Sequence, residues 1–465
     1  MPHLLLLLLC WCSLAFAAED PGKAGYEVID WSKSPRGTPG ESKGDLKHPI
    51  KGGEVMRYRL FAPASLPEKS VLGLVICFHG TGGDENYMTQ HAHDALVEDA
   101  LAAGYVVAGG KSLGNAWGTG DEANVLQFVD WLVTVYPIDR RRLFTWGHSN
   151  GGWMSSYFAS HHADRFAGLV RWAGYGADQP SKPGQTLEYY LVHGDMDGSV
   201  KVDQSRGLRD QLRRPGHYVY RELKGADHGS LLGVKAVRDD AARWLDCIRH
   251  PEIPLPADDV KQLRQFAAAK LDDAFAQDAT WTELVRIGGQ PAWSVAAKAA
   301  KSKTASVRAA LCTACAHCRF ADEETVAVLA KLAEDEDATV AKAAIAALGV
   351  HANWRSAAAQ GTLARLALAK KGNAESRSLA DGMLSTAMTL PLLGNTADDP
   401  VLFDAATTLM DIDPLELRTT IFAPLLVAVP DGKGYDPQGD AKARRPGIIA
   451  WKTWFDEHGG ATAKH

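Results

Sequence analysis

Acyl-transfer chemistry needs an activated hydroxyl, a base and an acid, and three short stretches of this 465-residue chain carry those residue types. In Gly147-His148-Ser149-Asn150-Gly151-Gly152 a serine is bracketed by glycines, which let a chain reverse tightly where a Cβ would collide. A serine hydroxyl is a poor nucleophile until a histidine takes its proton, and that histidine must be held by a carboxylate. Both types stand downstream, in His193-Gly194-Asp195-Met196-Asp197 and Gly225-Ala226-Asp227-His228-Gly229. His228 is the expected general base. Asp195 and Asp197 share a loop and both qualify to orient it, whereas Asp227 is too close in sequence to His228 and reads as a turn residue. The developing oxyanion needs backbone N–H donors, one from the residue after the nucleophile and one from a loop after an earlier strand. Asn150 supplies the first, and Thr81 in His79-Gly80-Thr81-Gly82-Gly83 is the expected second.

Such side chains converge only if the surrounding elements carry them to one edge of a sheet. From Met56 onward, short β-branched or aromatic runs alternate with helical stretches, which predicts parallel strands joined by crossover helices. Strands are expected at 58–61, 71–78, 105–108, 143–146, 168–172, 189–192 and 218–222. Several are apolar throughout, as strands covered on both faces must be. Val125, Phe128, Val129, Leu132 and Tyr136 recur at helical spacing and predict a helix packed on the sheet. Ser149 then falls at a strand-to-helix corner at the carboxyl end of its strand, where open α/β sheets place their ligands. Asp197 and His228 fall in loops after later strands on the same edge. A closing helix is expected over about 236–248. The prolines at 251, 254 and 256 follow, which continue neither a helix nor a central strand.

Beyond Ala257 the text becomes alanine-rich helix without strand signals. The run from Val307 to Cys315 overlays that from Val340 to Leu348 at an offset of about 33 residues, and 402–409 echoes the spacing. This half resembles HEAT-type helical repeats, which imply stacked helix pairs with long free faces for a protein or polymer partner. The organisation expected is a signal peptide over 1–17, an entry segment over 18–54 with little chemistry, a catalytic domain over 55–250, a Pro-rich linker over 251–256 and an all-α repeat domain over 257–465.

His79-Gly80-Thr81-Gly82-Gly83, the stretch from Phe128 through Tyr136-Pro137-Ile138-Asp139-Arg140-Arg141-Arg142-Leu143, and Ser149-Asn150-Gly151-Gly152-Trp153-Met154 together resemble the polyhydroxybutyrate depolymerase and feruloyl esterase branch of the α/β-hydrolases. His193-Gly194-x-x-Asp197-x-x-Val200 completes the likeness, which covers about 190 residues. One departure is Lys201, where that branch usually has proline. The resemblance implies an α/β-hydrolase domain with a mostly parallel sheet and hydrolysis of a small or polymer-linked carboxylic ester through an acyl-serine intermediate. It favours Asp197 over Asp195 as the acid.

Other signals narrow the classes. The formal net charge of −6 and the absence of basic runs give no electrostatic footprint for nucleic acid. The opening MPHLLLLLLCWCSLAFA has the apolar run and small-x-small end of a secretory leader and is too short for the about 20 apolar residues of a membrane span. A secreted or periplasmic protein with no membrane span is expected. Cys312-x-x-Cys315-x-x-Cys318 has a cluster-binding spacing, yet the overlay puts Cys312 and Cys315 where Ile345 and Leu348 stand, which predicts core packing. His91-x-His93 and His161-His162 read as solvated helix histidines, and no metal or other cofactor is expected. Trp117 and Trp153 either line an acyl pocket or simply pack. Two rivals remain: a serine peptidase of the prolyl-oligopeptidase kind, which shares the order Ser, Asp, His, and a non-catalytic binding protein that works through its repeats.

Overall fold

The computed structural model describes residues 28–48, 52–98, 104–176, 186–212, 218–319, 322–354, 357–367, 378–380 and 431–458, with single positions between 410 and 426. The expected leader at 1–17 and the third repeat at 402–409 lie outside the described residues.

Eight strands form one sheet: β1 (Gly40–Lys47), β2 (Glu54–Ala62), β3 (Leu72–Phe78), β4 (Tyr105–Gly110), β5 (Ile138–His148), β6 (Gly168–Trp172), β7 (Glu188–Gly194) and β8 (Tyr218–Leu223). Their spatial order is β1-β2-β4-β3-β5-β6-β7-β8. From β4 to β8 all neighbours run parallel, while β2 is antiparallel to both β1 and β4. The seven expected strands are present. The stretch read as an entry segment carries an eighth, because β1 is a polar edge strand with a single buried residue, Leu46, and so lacks the apolar alternation that would mark it. It turns into β2 through Gly52 and Gly53, both at positive φ.

Alternation along β3 shows how the sheet divides its core. Leu74, Ile76 and Phe78 face one side with Phe128, Val129 and Leu132 of α2 (Glu122–Val135) and with Met154 and Phe158 of α3 (Asn150–His161). Val75 and Cys77 face the other, with Met88, Ala92 and Leu96 of α1 (Tyr87–Glu98) and Val237, Ala241 and Trp244 of α5 (Lys235–Cys247). Helix α4 (Asp203–Leu212) joins the first side through Leu208. Period-2 side chains covered on both faces are what a parallel sheet demands.

After the prolines every described element is helical: α6 (Ala257–Ala268), α7 (Leu271–Phe275), α8 (Asp278–Ile287), α9 (Gly289–Ala296), α10 (Ala305–Ala316), α11 (Asp322–Leu332), α12 (Ala338–Asn353), α13 (Ala357–Ala367) and α14 (Ala441–His458), with short 3-10 turns. The 33-residue overlay has a physical counterpart, since Val307, Cys312 and Cys315 of α10 and Val340, Ile345 and Leu348 of α12 are buried in one core. Asp337 caps α12, its Oδ1 accepting from Thr339 N–H at 2.9 Å and Val340 N–H at 3.2 Å. Arg308 forks onto Asp335 with two 2.7 Å bonds and ties α10 to the turn before α12.

Two arginines, Arg249 half-buried and Arg221 buried, tie the helices to one another and to the sheet. Arg249 spends all five donors on main-chain oxygens: those of Asp246 and Ile248 at the end of α5, and those of Val285 and Arg286 at the end of α8. One cation thus serves two helix C-termini, where the macrodipoles favour positive charge. Arg221 of β8 reaches Asn353 O at 2.7 Å and Asp240 Oδ2 at 2.9 Å, and Asp240 also accepts from Tyr190 Oη and Trp354 Nε1.

Candidate active site

Ser149 occupies the corner between β5 and α3 at φ 58° and ψ −122°, a conformation that costs a non-glycine residue about 1–3 kcal/mol. Its N–H is held by Trp172 O of the neighbouring strand at 2.9 Å. The bracketing glycines are required by close approach. A Cβ on Gly147 would stand 2.0 Å from Gly151 O, and one on Gly151 would stand 2.1 Å from Phe78 O. The corner therefore lifts the hydroxyl clear while its neighbours pack backbone against backbone.

His228, in the loop after β8, has Nε2 2.9 Å from Ser149 Oγ and Nδ1 2.7 Å from Asp197 Oδ2. The carboxylate only accepts, so Nδ1 carries the proton and Nε2 presents its lone pair to the hydroxyl. Asp197 lies after β7, its side chain fully buried. Burial alone would raise its pKa, but the hydrogen bond from His228 and the N–H groups of Val200 and Ser199 outweigh this and hold it below the usual carboxylate value. Those N–H groups reach Oδ1 at 2.9 and 2.8 Å. Lys201, in place of the usual proline, leaves this turn intact. Asp195, the competing carboxylate, turns away and accepts from Gly225 N–H at 2.6 Å. Asp227 closes its own turn, accepting from Gly229 and Ser230 N–H groups.

Of the two expected oxyanion donors, Asn150 follows the serine along the chain and Thr81 follows Gly80, which lies beside it. Asn150 is the first residue of α3, where an N–H has no intrahelical acceptor. Gly80 lies against the serine, since a Cβ there would sit 3.5 Å from Ser149 Cβ. In the same turn Gly82 N–H bonds Asn115 O and Gly83 N–H bonds Gly80 O, while Thr81 N–H has no partner among the described residues.

Several contacts that position these groups carried no sequence signal. His148, the variable position of the serine motif, has Nε2 2.8 Å from His228 O, and burial lowers its pKa to about 4. His193 has Nε2 2.8 Å from Val200 O and 3.3 Å from Asp197 Oδ2, bracing the acid loop. Asn150 uses its side chain as well: Oδ1 accepts from Trp117 N–H at 2.6 Å, and Nδ2 donates to Trp117 O and to Tyr175 Oη. Asp121 fastens the far end of that loop through Leu113 and Gly118 N–H groups. Trp117 itself is buried edge-on against Phe78 and packs, whereas Trp153 lies parallel to Tyr175 at 6.1 Å.

Two of the histidines read as solvated make contacts that reading did not expect. His162 is buried with Nε2 2.8 Å from Glu122 Oε1, and His93 stacks on Phe61. Sequence spacing hid both, because each partner comes from a distant element. No group of three metal-ligating side chains occurs among the described residues. No helix among them is long and apolar enough to cross a membrane.

A glycine-bracketed serine at a strained strand-to-helix corner, followed along the chain by a carboxylate after β7 and a histidine after β8, decides the architecture. The sheet unit has the α/β-hydrolase fold. Comparisons of sequence agree with this hydrolase architecture. The model of the prolyl oligopeptidase family matches residues 110–177, from the end of β4 through the serine corner to just past β6. A bifunctional acetylxylan esterase/xylanase of Neocallimastix patriciarum is 29% identical over 166 residues, 34% of this chain and 24% of that protein. A pyrethroid hydrolase of Sphingobium wenxiniae is 30% identical over 133 residues, 26% of this chain and 46% of that one. Feruloyl esterase D of Neurospora crassa is 25% identical over 176 residues, 35% of this chain and 60% of that one. The chain thus spans between 24% and 60% of the length of these relatives. Among solved structures, Est1E from Butyrivibrio proteoclasticus is similar with 17% identity and a TM-score of 0.35, covering 43% of this chain and 98% of that one.

Proposed function

We propose that this protein is a secreted or periplasmic serine esterase that cleaves carboxylic esters through an acyl-serine intermediate. The observation that carries the reading is His228 bonded at once to Ser149 Oγ at 2.9 Å and to Asp197 at 2.7 Å. In this reading Ser149 Oγ attacks the ester carbonyl while its proton passes to His228 Nε2. Asp197 stabilises the imidazolium, and the Asn150 and Thr81 N–H groups receive the negative oxygen. His228 then gives its proton to the leaving alcohol as the C–O bond breaks. Water, deprotonated by the same nitrogen, attacks the acyl-serine and releases the acid, restoring the hydroxyl.

The domain plan that goes with this is catalysis in residues 55–250, a Pro-rich link over 251–256 and HEAT-like repeats over 257–465 that hold a protein or polymer partner. The names of the acetylxylan and feruloyl esterase relatives support an ester on a plant-type polymer or phenolic acid, in line with the resemblance to the polyhydroxybutyrate depolymerase and feruloyl esterase branch. The open rim fits that class, since the His228 side chain is 24% exposed and Tyr175, bonded to Asn150, is exposed as well. The prolyl oligopeptidase match favours one second reading, a serine peptidase. It spans the serine but neither Asp197 nor His228.

The test is turnover of p-nitrophenyl esters, methyl ferulate, acetylated xylan and peptide anilides by the protein and its Ser149→Ala variant. Ester cleavage abolished in the variant supports the esterase. Anilide cleavage at comparable kcat/KM replaces it with the peptidase, and silence on the whole panel leaves a binding protein.

A further inference from the structure

Away from the hydrolase edge, the helical half contains a hollow of about 780 Å³, between α6 and α7 on one side and α9, the following 3-10 turn and α11 on the other. That volume falls in the range of sites for small organic ligands. Its floor is apolar, with Phe266, Leu271, Phe275 and Val328 among the lining side chains. Its charged lining is one-sided. Lys298, Lys301 and Lys331 stand around it against a single carboxylate, Glu324.

That carboxylate is already engaged, with Glu324 Oε2 accepting from Trp293 Nε1 at 2.9 Å and Gln290 Nε2 at 3.5 Å. The three lysines form no ion pair among the described residues, and Lys298 makes only a 3.3 Å bond to Ala267 O. Lys298 and Lys301 belong to the 3-10 turn Ala297–Lys301, where residues three apart eclipse one another, so both side chains leave the same face of the turn, and both line the hollow. Lys331 is carried by α11. Like charges gathered beside an apolar surface repel one another and are relieved by an anion. The apolar floor meanwhile gains from covering by a hydrocarbon chain or ring.

We propose that this hollow is a second ligand site, independent of the esterase reading, that binds an amphiphilic monocarboxylate: its chain or ring on the Phe266–Leu271–Val328 floor and its carboxylate among Lys298, Lys301 and Lys331. A compact ammonium on a flexible stem suits a single carboxylate without demanding the fixed fork of an arginine site.

The experiment is calorimetric titration of decanoate into the full-length Ser149→Ala protein at low salt, with decanol as the neutral comparator. The triple variant Lys298→Gln, Lys301→Gln, Lys331→Gln is titrated in the same background. All three lysines are exposed, so the variant keeps its core, and an unchanged thermal transition checks this. One saturable site is expected, at least ten-fold weaker for decanol and at least ten-fold weaker for decanoate in the triple variant. No saturable binding overturns the proposal, as does equal affinity in the triple variant, which puts the ligand elsewhere. Equal affinity for decanol also overturns it, because the hollow then reads only apolar surface. Esterase activity in the parent protein is untouched by any of these outcomes.

Discussion

His148 Nε2 lies 2.8 Å from the main-chain oxygen of His228, and the two imidazoles sit 4.7 Å apart. A carbonyl can only accept, so His148 carries a proton on Nε2, and burial, which lowers its pKa to about 4, keeps the ring neutral at neutral pH. The residue beside the serine therefore holds the backbone of His228, whose ring bonds that same serine.

Replacing His148 by alanine removes that hold without touching Ser149, Asp197 or the His228 ring. Misplacement of a catalytic group by about 1 Å costs about 100-fold in rate. The expected outcome is a fall in kcat of about 10- to 100-fold at nearly unchanged KM, with His148→Gln recovering most of it through its amide N–H. Steady-state kinetics on an ester that the parent protein cleaves checks this, and an unaltered kcat in His148→Ala refutes the positioning role.

The same burial makes stability depend on pH. Unfolded, His148 takes a proton near its ordinary value of 6.5; folded, burial delays this to about 4. Between those values the unfolded chain binds more protons, so stability is full above about pH 6.5 and is lost as the pH falls toward 4. The shift corresponds to roughly 3 kcal/mol when fully developed. Burial lowers His79, His193 and His250 as well, and their contributions have the same sign. Urea midpoints measured from pH 7 to pH 4.5 should fall steadily, and less steeply for His148→Gln.

Asn150 separates two roles in one residue. Its N–H is a candidate oxyanion donor, while its side chain clamps both main-chain groups of Trp117 and the hydroxyl of Tyr175. Asn150→Ala keeps the first and deletes the second. A loss in kcat/KM of about 10-fold is expected, together with faster amide hydrogen exchange over residues 112–118. Exchange as slow as in the parent chain would show that Asp121 alone fixes the loop.

Trp354 tests how far the helices support the sheet. Its Nε1 donates to Asp240 Oδ1 at 3.1 Å, in the network that also holds Arg221 and Tyr190. Trp354→Ala opens a cavity and leaves a buried carboxylate oxygen unpaired. A cost of about 3–5 kcal/mol is expected. It should appear in calorimetry as one transition lowered as a whole, because the network spans β7, β8, α5 and the end of α12. Two resolved transitions in the parent protein would show that sheet and helices melt independently.

The sequence was most informative where local chemistry and spacing coincide. Apolar runs marked seven of the eight strands, and the glycines around Ser149 marked the corner, since a tight backbone contact leaves no other residue type possible there. The 33-residue overlay also placed Cys312 and Cys315 among core positions, because helical burial repeats with the helix. Strand β1 stayed hidden, as a solvated edge strand needs hydrogen bonds from β2 but no apolar side chains.

Residues alone left Asp195 and Asp197 equivalent, both acidic and two positions apart, and only the path of the loop after β7 aims one at His228 and the other at Gly225. The same holds for His148, His193, Asp121 and Glu122, whose partners stand 80, 7, 8 and 40 residues away. What the linear chain determined by itself was which residue types were available and which backbone corners were possible. Which of them meet was decided by tertiary structure, because hydrogen bonding acts over about 3 Å and separation along a chain does not fix separation in space.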